Sequence, residues 1–261
     1  MPSGQHAMFA TSSLPFLITF SGIDGGGKTT QISDLEAHLE RSGLRVLRLS
    51  FWDHVAVWPH LRARVGDRAL DLYQPRETGR DAFAPRNHKH IRRWYLTAAR
   101  SVLYLLDILR LRRLLASPDL KAFDVVIFDR YVYDQLANID SRSFLVRLYR
   151  RMLLKLTKSP DLAFILDASP DAAFARKPEY PLEFMRRYRR NFLGLSALTP
   201  ELIIISHSEL DEVRSEIQSR IGRSRLAEVI ARRNDDKETG EVAVVRPQSS
   251  CRGRNEPTPI V

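Results

Sequence analysis

A cluster of glycines between an apolar run and a helical pattern constrains this chain more than any other feature. Residues 16–21 form a short, partly β-branched apolar run, and four of the chain's 12 glycines follow within Gly22–Gly27. From Lys28 onward, Ile32, Leu35 and Leu39 recur at helical spacing until Gly43. A buried strand, a tight glycine turn and a helix open a βαβ unit, and this order predicts a parallel sheet.

The glycine turn also matches a known phosphate-binding pattern. Gly22 and Gly27 frame four residues ahead of Lys28 and Thr29, as in a Walker A motif. Glycines let successive backbone N–H groups point at phosphate oxygens, and the helix N-terminus adds partial positive charge. The alternative is an accidental glycine-rich turn, which the flanking strand and helix disfavour. We predict that ATP is bound by Gly22, Gly25, Gly26, Gly27, Lys28, Thr29 and Thr30, with Lys28 catalytic and the Thr29 hydroxyl a ligand of Mg²⁺.

The same alternation of strand and helix continues along the chain. Further strand-like runs occupy residues 44–49, 125–128, 162–166 and 202–205. The helical patterns between and after them cover 91–115, 143–157, 170–176, 183–195 and 209–221, and a short helix is expected near 59–65. The fold class predicted is α/β: a P-loop NTPase-type three-layer fold whose five-stranded parallel sheet is flanked by helices.

Composition predicts the domain boundaries and the cellular location. The 261 residues carry a net charge of +10 and one cysteine, Cys251, so no disulfide or cysteine zinc site is available within the chain. We expect a flexible extension over 1–14, one domain over 15–222, and a polar, disordered tail over 223–261, in which 223–233 can continue a helix. No run is apolar enough to span a membrane. A cytoplasmic protein with no membrane partner is therefore expected.

A carboxylate and a guanidinium follow the third strand. Asp129 and Arg130 stand at the carboxyl end of the run 125–128, where open α/β sheets bind ligands. Asp129 can hold Mg²⁺, as a Walker B carboxylate does, and Arg130 can bind a phosphate through two N–H groups. A simple salt bridge at the strand end is the alternative.

Several motifs in order resemble the thymidylate kinases over roughly residues 15–222. They are residues 16–30, the Asp129-Arg130-Tyr131 triplet, the run 160–167 with Pro170-Asp171-Ala172-Ala173, and Phe184 with Tyr188. The resemblance implies a nucleoside monophosphate kinase of nucleotide biosynthesis that uses ATP and Mg²⁺, with dTMP converted to dTDP as the first expectation. A different small acceptor or a catalytically silent nucleotide-binding partner protein are the alternatives. It also implies a homodimer and nucleotide substrates.

The resemblance assigns further roles by position. Asp24 would lie near the acceptor's sugar and phosphate and contribute to catalysis, and Arg130 and Tyr131 would bind the acceptor. Arg100 falls where a helix of the family supplies an acceptor-contacting arginine, although such a residue is more often simply exposed. Arg176 lies in the place of the mobile lid and would neutralise charge on the transferred phosphoryl group. The alternative for Arg176 is an arginine bonded to carbonyls at a helix end.

Departures from the family concern the acceptor. Ser50-Phe51-Trp52-Asp53-His54 replaces the Arg-Glu-Pro-Gly-Gly stretch that holds the acceptor. Leu96, beside Trp94 and Tyr95, replaces the phenylalanine that stacks on thymine, and Asn138-Ile139 replaces a Tyr-Gln pair. Phosphoryl transfer tolerates these changes better than thymine specificity does.

Basic residues suggest a rival function. Residues 85–115 hold eight Lys or Arg and one Asp, and residues 141–158 hold six and no acid. Nucleic acid binding is disfavoured, because Arg147, Arg150, Arg151 and Lys155 recur opposite Phe144, Leu145, Leu148 and Leu153, as on a solvated helix face. His88 and His90 are interpreted as surface residues rather than metal ligands. A P-loop GTPase or motor-type ATPase is the remaining class, and the Asn-Lys-x-Asp guanine signature of GTPases is missing.

Overall fold

The computed structural model describes residues 14–57, 88–139, 143–206 and 209–238, with side chains excluded at 88–99 and 234–238. Five strands lie in these ranges: β1 Phe16–Gly22, β2 Val46–Ser50, β3 Val125–Asp129, β4 Leu162–Leu166 and β5 Leu202–Ile205. The helices are α1 Lys28–Arg41, α2 His88–Leu115, α3 Val132–Ala137, α4 Phe144–Leu156, α5 Pro170–Arg176, α6 Leu182–Ser196, α7 Leu210–Gly222 and α8 Arg225–Glu238. A π-helical turn spans Phe51–Val55 and a 3₁₀ turn spans Pro118–Ala122.

The strands form one parallel sheet in the order β2-β3-β1-β4-β5. Strand β1 is central and buried along its whole length, with Ile18 in register with Ile127 on one side and Leu162 on the other. The carboxyl ends of β1, β3 and β4 therefore lie together at one edge. The predicted five-stranded parallel α/β fold is confirmed.

Alternating residues of the sheet pack into two apolar layers. Leu17, Val126 and Phe128 face the layer that contains the buried residues of α2, α3 and α6. Ile18 and Phe20 face the opposite layer, which contains apolar residues of α1, α7 and α8. Because neighbouring side chains of a strand point to opposite faces, a continuous apolar run such as β1 can serve both layers.

The sequence analysis did not predict the shortest elements. The helix α3 and the two short turns have too few residues to show a period, and α2 begins slightly earlier than the predicted residue 91. The predicted helix near 59–65 and the extension over residues 1–13 lie outside the described residues, as do the side chains of Trp94, Tyr95 and Leu96.

The solvated face predicted for α4 is confirmed at Arg147, Arg151 and Lys155, which are exposed, but not at Arg150. Arg150 was expected on a solvated face but is buried, whereas Phe144, Leu145 and Leu148 are 54 to 72 % exposed. Two apolar stripes run along this helix, and the one that packs inward shares its side with Leu153 and the half-buried Tyr149. The sequence alone does not distinguish which stripe meets the core.

The helix α8 corrects the expected polar tail. It continues to Glu238, past the boundary expected at Asn234, and is separated from α7 by a break at Arg223 and Ser224. Leu226 is only 1 % exposed and packs in the layer of α1 and α7, with Ile230 partly buried against it. At least this part of the tail therefore belongs to the folded domain.

Within the described ranges, the helices include none that is both long enough and apolar enough to cross a membrane.

Replacing Leu226 by Ala tests the docking of α8. We expect the free energy of unfolding to fall by about 2–4 kcal/mol, because the change removes a buried side chain and leaves a cavity. Val229→Ala on the same helix is the matched control, since Val229 is 39 % exposed and should cost less than about 0.5 kcal/mol. Urea unfolding measures both changes. Equal small effects would contradict the docking.

Candidate active site

The glycine turn after β1 is shaped by close backbone contacts. At Gly22 a Cβ atom would lie 2.6 Å from the carbonyl oxygen of Leu166, at the end of the neighbouring β4. At Gly25 it would lie 2.6 Å from the carbonyl oxygen of Ala173 in α5, and the φ of Gly25 is +77°. Only glycine fits either position without moving the backbone. The loop is therefore packed between β4 and α5.

Lys28 is held inside this loop. Its Nζ donates hydrogen bonds to the carbonyls of Gly22 at 3.0 Å and Ile23 at 2.8 Å, and lies 3.9 Å from Asp24 Oδ1. Burial, assisted by the charge of Arg130, lowers the pKa of Lys28 from 10.5 to about 8. An ammonium has three N–H donors, and these carbonyls use two of them.

The first turn of α1 faces the same space. Gly27 precedes the helix in the left-handed conformation, and Thr29 and Thr30 are exposed. The first N–H groups of a helix have no carbonyl partner within it, so this end attracts anions. With Lys28 beside it, the turn has the geometry of a phosphate site.

Arg130 at the end of β3 connects the sheet to the glycine turn. Its guanidinium donates to Asp24 through Nη2 and to Asp134 Oδ1 through Nη1 at 3.1 Å. Its backbone N–H donates to the carbonyl of Phe20 at 2.8 Å. Arg130 has a φ of 69°, the one positive φ among the described residues other than glycine. Such strain persists only where the surroundings fix it, which is typical of functional sites.

Asp134 is a site residue that the sequence analysis missed. Its side chain is completely buried, and it accepts from the guanidinium of Arg130 and from the backbone N–H of Tyr131 at 3.1 Å. Burial raises the pKa of Asp134, and the charges of Arg130 and Lys28 oppose the rise. Burial alone would lower the pKa of Arg130, but the carboxylate of Asp134, with Tyr188, Asp24 and Asp129, raises it. The signal available in the sequence was the spacing of four residues between Arg130 and Asp134 at the start of a helix.

Residues at the end of α5 also border this site. Arg176 is exposed, and its Nε donates to the carbonyl of Ala172 at 3.2 Å, as the helix-end alternative predicts. Arg176 also lines the cleft, together with Lys177, whose Nζ is paired with Glu179 at 3.0 Å. The two readings of Arg176 are thus compatible, because one nitrogen faces its own helix while the side chain borders the cleft.

These elements enclose a cleft of about 430 Å³. Most of the predicted site residues meet there: Asp24, Gly25, Gly26, Gly27, Lys28, Thr29, Thr30, Asp129, Arg130 and Arg176. Gly22 lies behind them and accepts from Lys28. Asp129 also pairs with Arg48 of β2 at 3.2 Å, so the strand-end salt bridge considered for this motif is present as well.

Two predicted acceptor residues do not join this lining. Tyr131 is completely buried, and its hydroxyl donates to the carbonyl of Lys158 at 2.6 Å. The ring therefore supports the core, and acceptor binding by Tyr131 stays a prediction. Arg100 is partly buried, donates to the hydroxyl of Tyr104 at 2.8 Å and does not line the cleft.

The stretch that replaces Arg-Glu-Pro-Gly-Gly is a compact turn. Phe51 and Val55 are buried in the core, and the Nδ1 of His54 lies 2.9 Å from the carbonyl oxygen of Ser50. The buried Phe51 packs edge-on against Trp52 and near Tyr131. This segment fills space with aromatic side chains where the family places polar acceptor contacts.

Comparisons with curated proteins give consistent relatives. A probable thymidylate kinase of Archaeoglobus fulgidus is 30 % identical over 108 residues, which cover 39 % of this chain and 55 % of that protein. A thymidylate kinase of Bifidobacterium longum is 27 % identical over 216 residues, 78 % of this chain and 96 % of the relative. A thymidylate kinase of Deinococcus radiodurans is 26 % identical over 214 residues, which cover 77 % of this chain and 93 % of that relative.

The chain was also compared with solved structures and with protein-family models. The crystal structure of a thymidylate kinase from Ehrlichia chaffeensis superposes with a TM-score of 0.47 at 20 % identity, covering 80 % of this chain and 99 % of that one. No family model matches the chain. The long sequence matches to several thymidylate kinases confirm the resemblance inferred from the motifs.

Proposed function

We propose that the protein is an enzyme that transfers the γ-phosphoryl group of ATP to a nucleoside monophosphate, with dTMP as the first acceptor to test. The observation that carries the proposal is that one cleft joins the glycine loop and Lys28 to Asp24, Arg130 and Arg176. Cations on three sides of one cleft suit transfer between two phosphates, because the reaction consists mainly of positioning and charge stabilisation.

The donor side is formed by the loop and α1. The N–H groups of Gly25 and Gly27 would surround the β and γ phosphates, and the ammonium of Lys28 would donate to them. The N–H of Gly26 instead donates to the carbonyl of Ile23 at 3.2 Å and closes the turn. The position of Lys28 against two carbonyls fixes the charge before the nucleotide arrives. No reorganisation is then needed during transfer, which is the advantage of a preorganised site.

Mg²⁺ fits the oxygen atoms at this cleft. Thr29 and Asp129, which carry a hydroxyl and a carboxylate, both line it, and Mg²⁺ in such sites takes one or two protein oxygens while phosphates and water complete its shell. Among the described residues no group of three or more acidic, histidine or cysteine side chains forms a denser metal site. When bound there, Mg²⁺ would offset the negative charge of the phosphates.

The acceptor side is formed by the strand end of β3 and by Asp24. Arg130 would bind the acceptor phosphate with the N–H groups that Asp24 and Asp134 leave available, and the two carboxylates fix its plane. An acceptor oxygen would attack the γ-phosphorus, the bond to the ADP oxygen would break, and Arg176 would approach the charge on the transferred group. The homodimer and the cytoplasmic location implied above stay predictions.

Measuring ADP release with dTMP, dUMP, dCMP, dGMP and AMP tests the function. We expect turnover with dTMP, a modest preference over dUMP, and loss of at least about 100-fold in Lys28→Ala, since that ammonium supplies the fixed charge of the loop. Activity confined to a purine monophosphate would contradict the thymidylate assignment. No acceptor-dependent release in a folded wild-type protein that binds ATP would favour the silent nucleotide-binding alternative.

Arg176→Ala tests the lid role. We expect kcat to fall by about 10-fold or more while KM for ATP changes little, because the contact would strengthen as charge develops. Arg190→Ala is the matched control, since Arg190 is an exposed arginine of α6 that does not line the cleft. Equal changes in the two variants would leave Arg176 with the helix-end role alone.

The lowered pKa of Lys28 predicts a pH dependence of nucleotide binding. Above pH 8 the free protein holds a neutral amine, so the Kd for ADP should rise by up to about tenfold per pH unit from there toward the pKa of the bound state. Between pH 8 and pH 10.5 the unfolded chain binds the Lys28 proton more tightly than the folded protein does. The free energy of unfolding without nucleotide therefore rises with pH over this range. Calorimetric titration of wild type and Lys28→Met with ADP at several pH values measures the change in Kd. The same slope in the variant would contradict this origin.

A further inference from the structure

Arg48 is a charged residue of β2 that the proposed reaction does not use. The strand β2 lies at the edge of the sheet, and Arg48 is in register with Ile127, two residues before the end of β3. Its Nη2 donates to Asp129 Oδ2 at 3.2 Å, and its Nη1 donates to the hydroxyl of Ser33 on α1 at 3.3 Å. One guanidinium therefore joins two strands and a helix beside the cleft.

This ion pair uses one oxygen of a carboxylate that belongs to the proposed metal site. Asp129 lines the cleft with Thr29, and its side chain is 23 % exposed. Within the described part of the chain, its Oδ1 accepts no hydrogen bond, whereas Oδ2 accepts from Arg48. Because both oxygens are bonded to one carbon, a guanidinium on Oδ2 also fixes the direction of Oδ1. Arg48 therefore orients Asp129 as well as sharing its charge.

The other carboxylate of the cleft already has cationic partners. Asp24 accepts from Arg130 Nη2 and lies 3.9 Å from Lys28 Nζ. Both of these cations also lie within electrostatic reach of Asp129. The charged residues that line the cleft are the carboxylates Asp24 and Asp129 and the cations Lys28, Arg130, Arg176 and Lys177. With Arg48 beside them, positive charge is in excess before any substrate binds.

This excess of positive charge opposes a divalent cation at Asp129. Arg48 is bonded to the same carboxylate, so its guanidinium would repel the metal ion at short range while sharing the attraction of the carboxylate. Phosphates reverse the balance, because a nucleotide brings several negative charges and further oxygen ligands into the same cleft. The charge that a metal ion meets therefore differs between the free protein and its nucleotide complex.

We propose that Arg48 is a positioning residue that makes metal binding at Asp129 depend on bound nucleotide. The inference rests on the proposed function, because it takes Asp129 as a metal ligand beside a nucleotide site. Arg48 would keep Asp129 oriented through Oδ2 and leave Oδ1 for the metal ion that arrives with the phosphates. The salt bridge at the strand end and the metal ligand, which the sequence left as alternatives, then belong to one arrangement.

Titration of the full chain with Mn²⁺, followed by the electron paramagnetic resonance signal of the free ion, tests the proposal without turnover. Mn²⁺ is the probe because it takes the same oxygen ligands as Mg²⁺. Without nucleotide, we expect weak binding to the wild type and about fivefold tighter binding to Arg48→Gln, which removes a cation from the ligand. Arg48→Lys keeps the charge and should bind as weakly as the wild type. A merely structural role of Arg48 would not raise the metal affinity.

Further variants assign the effect to the ion pair. Adding Asp129→Asn to Arg48→Gln should cancel the gain in Mn²⁺ affinity. Arg45→Gln is the matched control, since Arg45 is an exposed arginine just before β2 that pairs with Asp124, and it should leave the affinity unchanged. Circular dichroism melting checks folding. If Arg48→Gln does not fold, Ser33→Ala removes only the exposed hydroxyl that accepts from Nη1 and should give a smaller gain, about twofold.

The outcomes separate this inference from the proposed function. Unchanged Mn²⁺ affinity in Arg48→Gln, a gain that persists with Asp129→Asn, or an equal gain in Arg45→Gln would overturn the inference. Calorimetric titration with ADP on the same samples tests the nucleotide site by itself. Failure of the wild type to bind ADP would contradict the proposed function and the inference together, whereas normal ADP binding with no effect of Arg48→Gln on Mn²⁺ would contradict the inference alone.

Discussion

The guanidinium of Arg130 lies between two carboxylates, and the site depends on this arrangement. Asp24 belongs to the glycine turn and Asp134 to the helix after β3, so one side chain links two connections that leave neighbouring strands. The strained backbone of Arg130 and the N–H bond to Phe20 fix its direction. Because Asp134 has no exposure to water, removing the guanidinium would leave a buried charge without its main partner.

The order of the strands makes this link possible. With β1 between β3 and β4, Phe20 is in register with Asp129 and Gly22 with Leu166, so three connections start from one edge. The first carries the glycine loop, the second Asp129 and Arg130, and the third leads to α5 and Arg176. The order thus gathers charged groups from distant parts of the chain without any long side chain crossing the core.

Sequence patterns predicted what repeats and what is bounded by glycine. The strands at 162–166 and 202–205 were placed correctly because buried parallel strands are short, continuous apolar runs. The glycine loop was found because the backbone contacts at Gly22 and Gly25 exclude other residues. The burial of the Tyr131 ring was not predicted, because position in a motif does not tell which way a side chain points. Asp134 was missed because burial of a carboxylate depends on partners from other elements. The burial of Arg150 was missed because α4 carries two apolar stripes.

The contact between Gly25 and Ala173 has a mechanical consequence. Backbone meets backbone there, with no side chain between the glycine loop and α5 to absorb a change in shape. A side chain larger than glycine at position 25 would therefore have to displace a helix whose last residue is Arg176. The placement of the Arg176 cation is thus tied to the backbone conformation of the glycine loop.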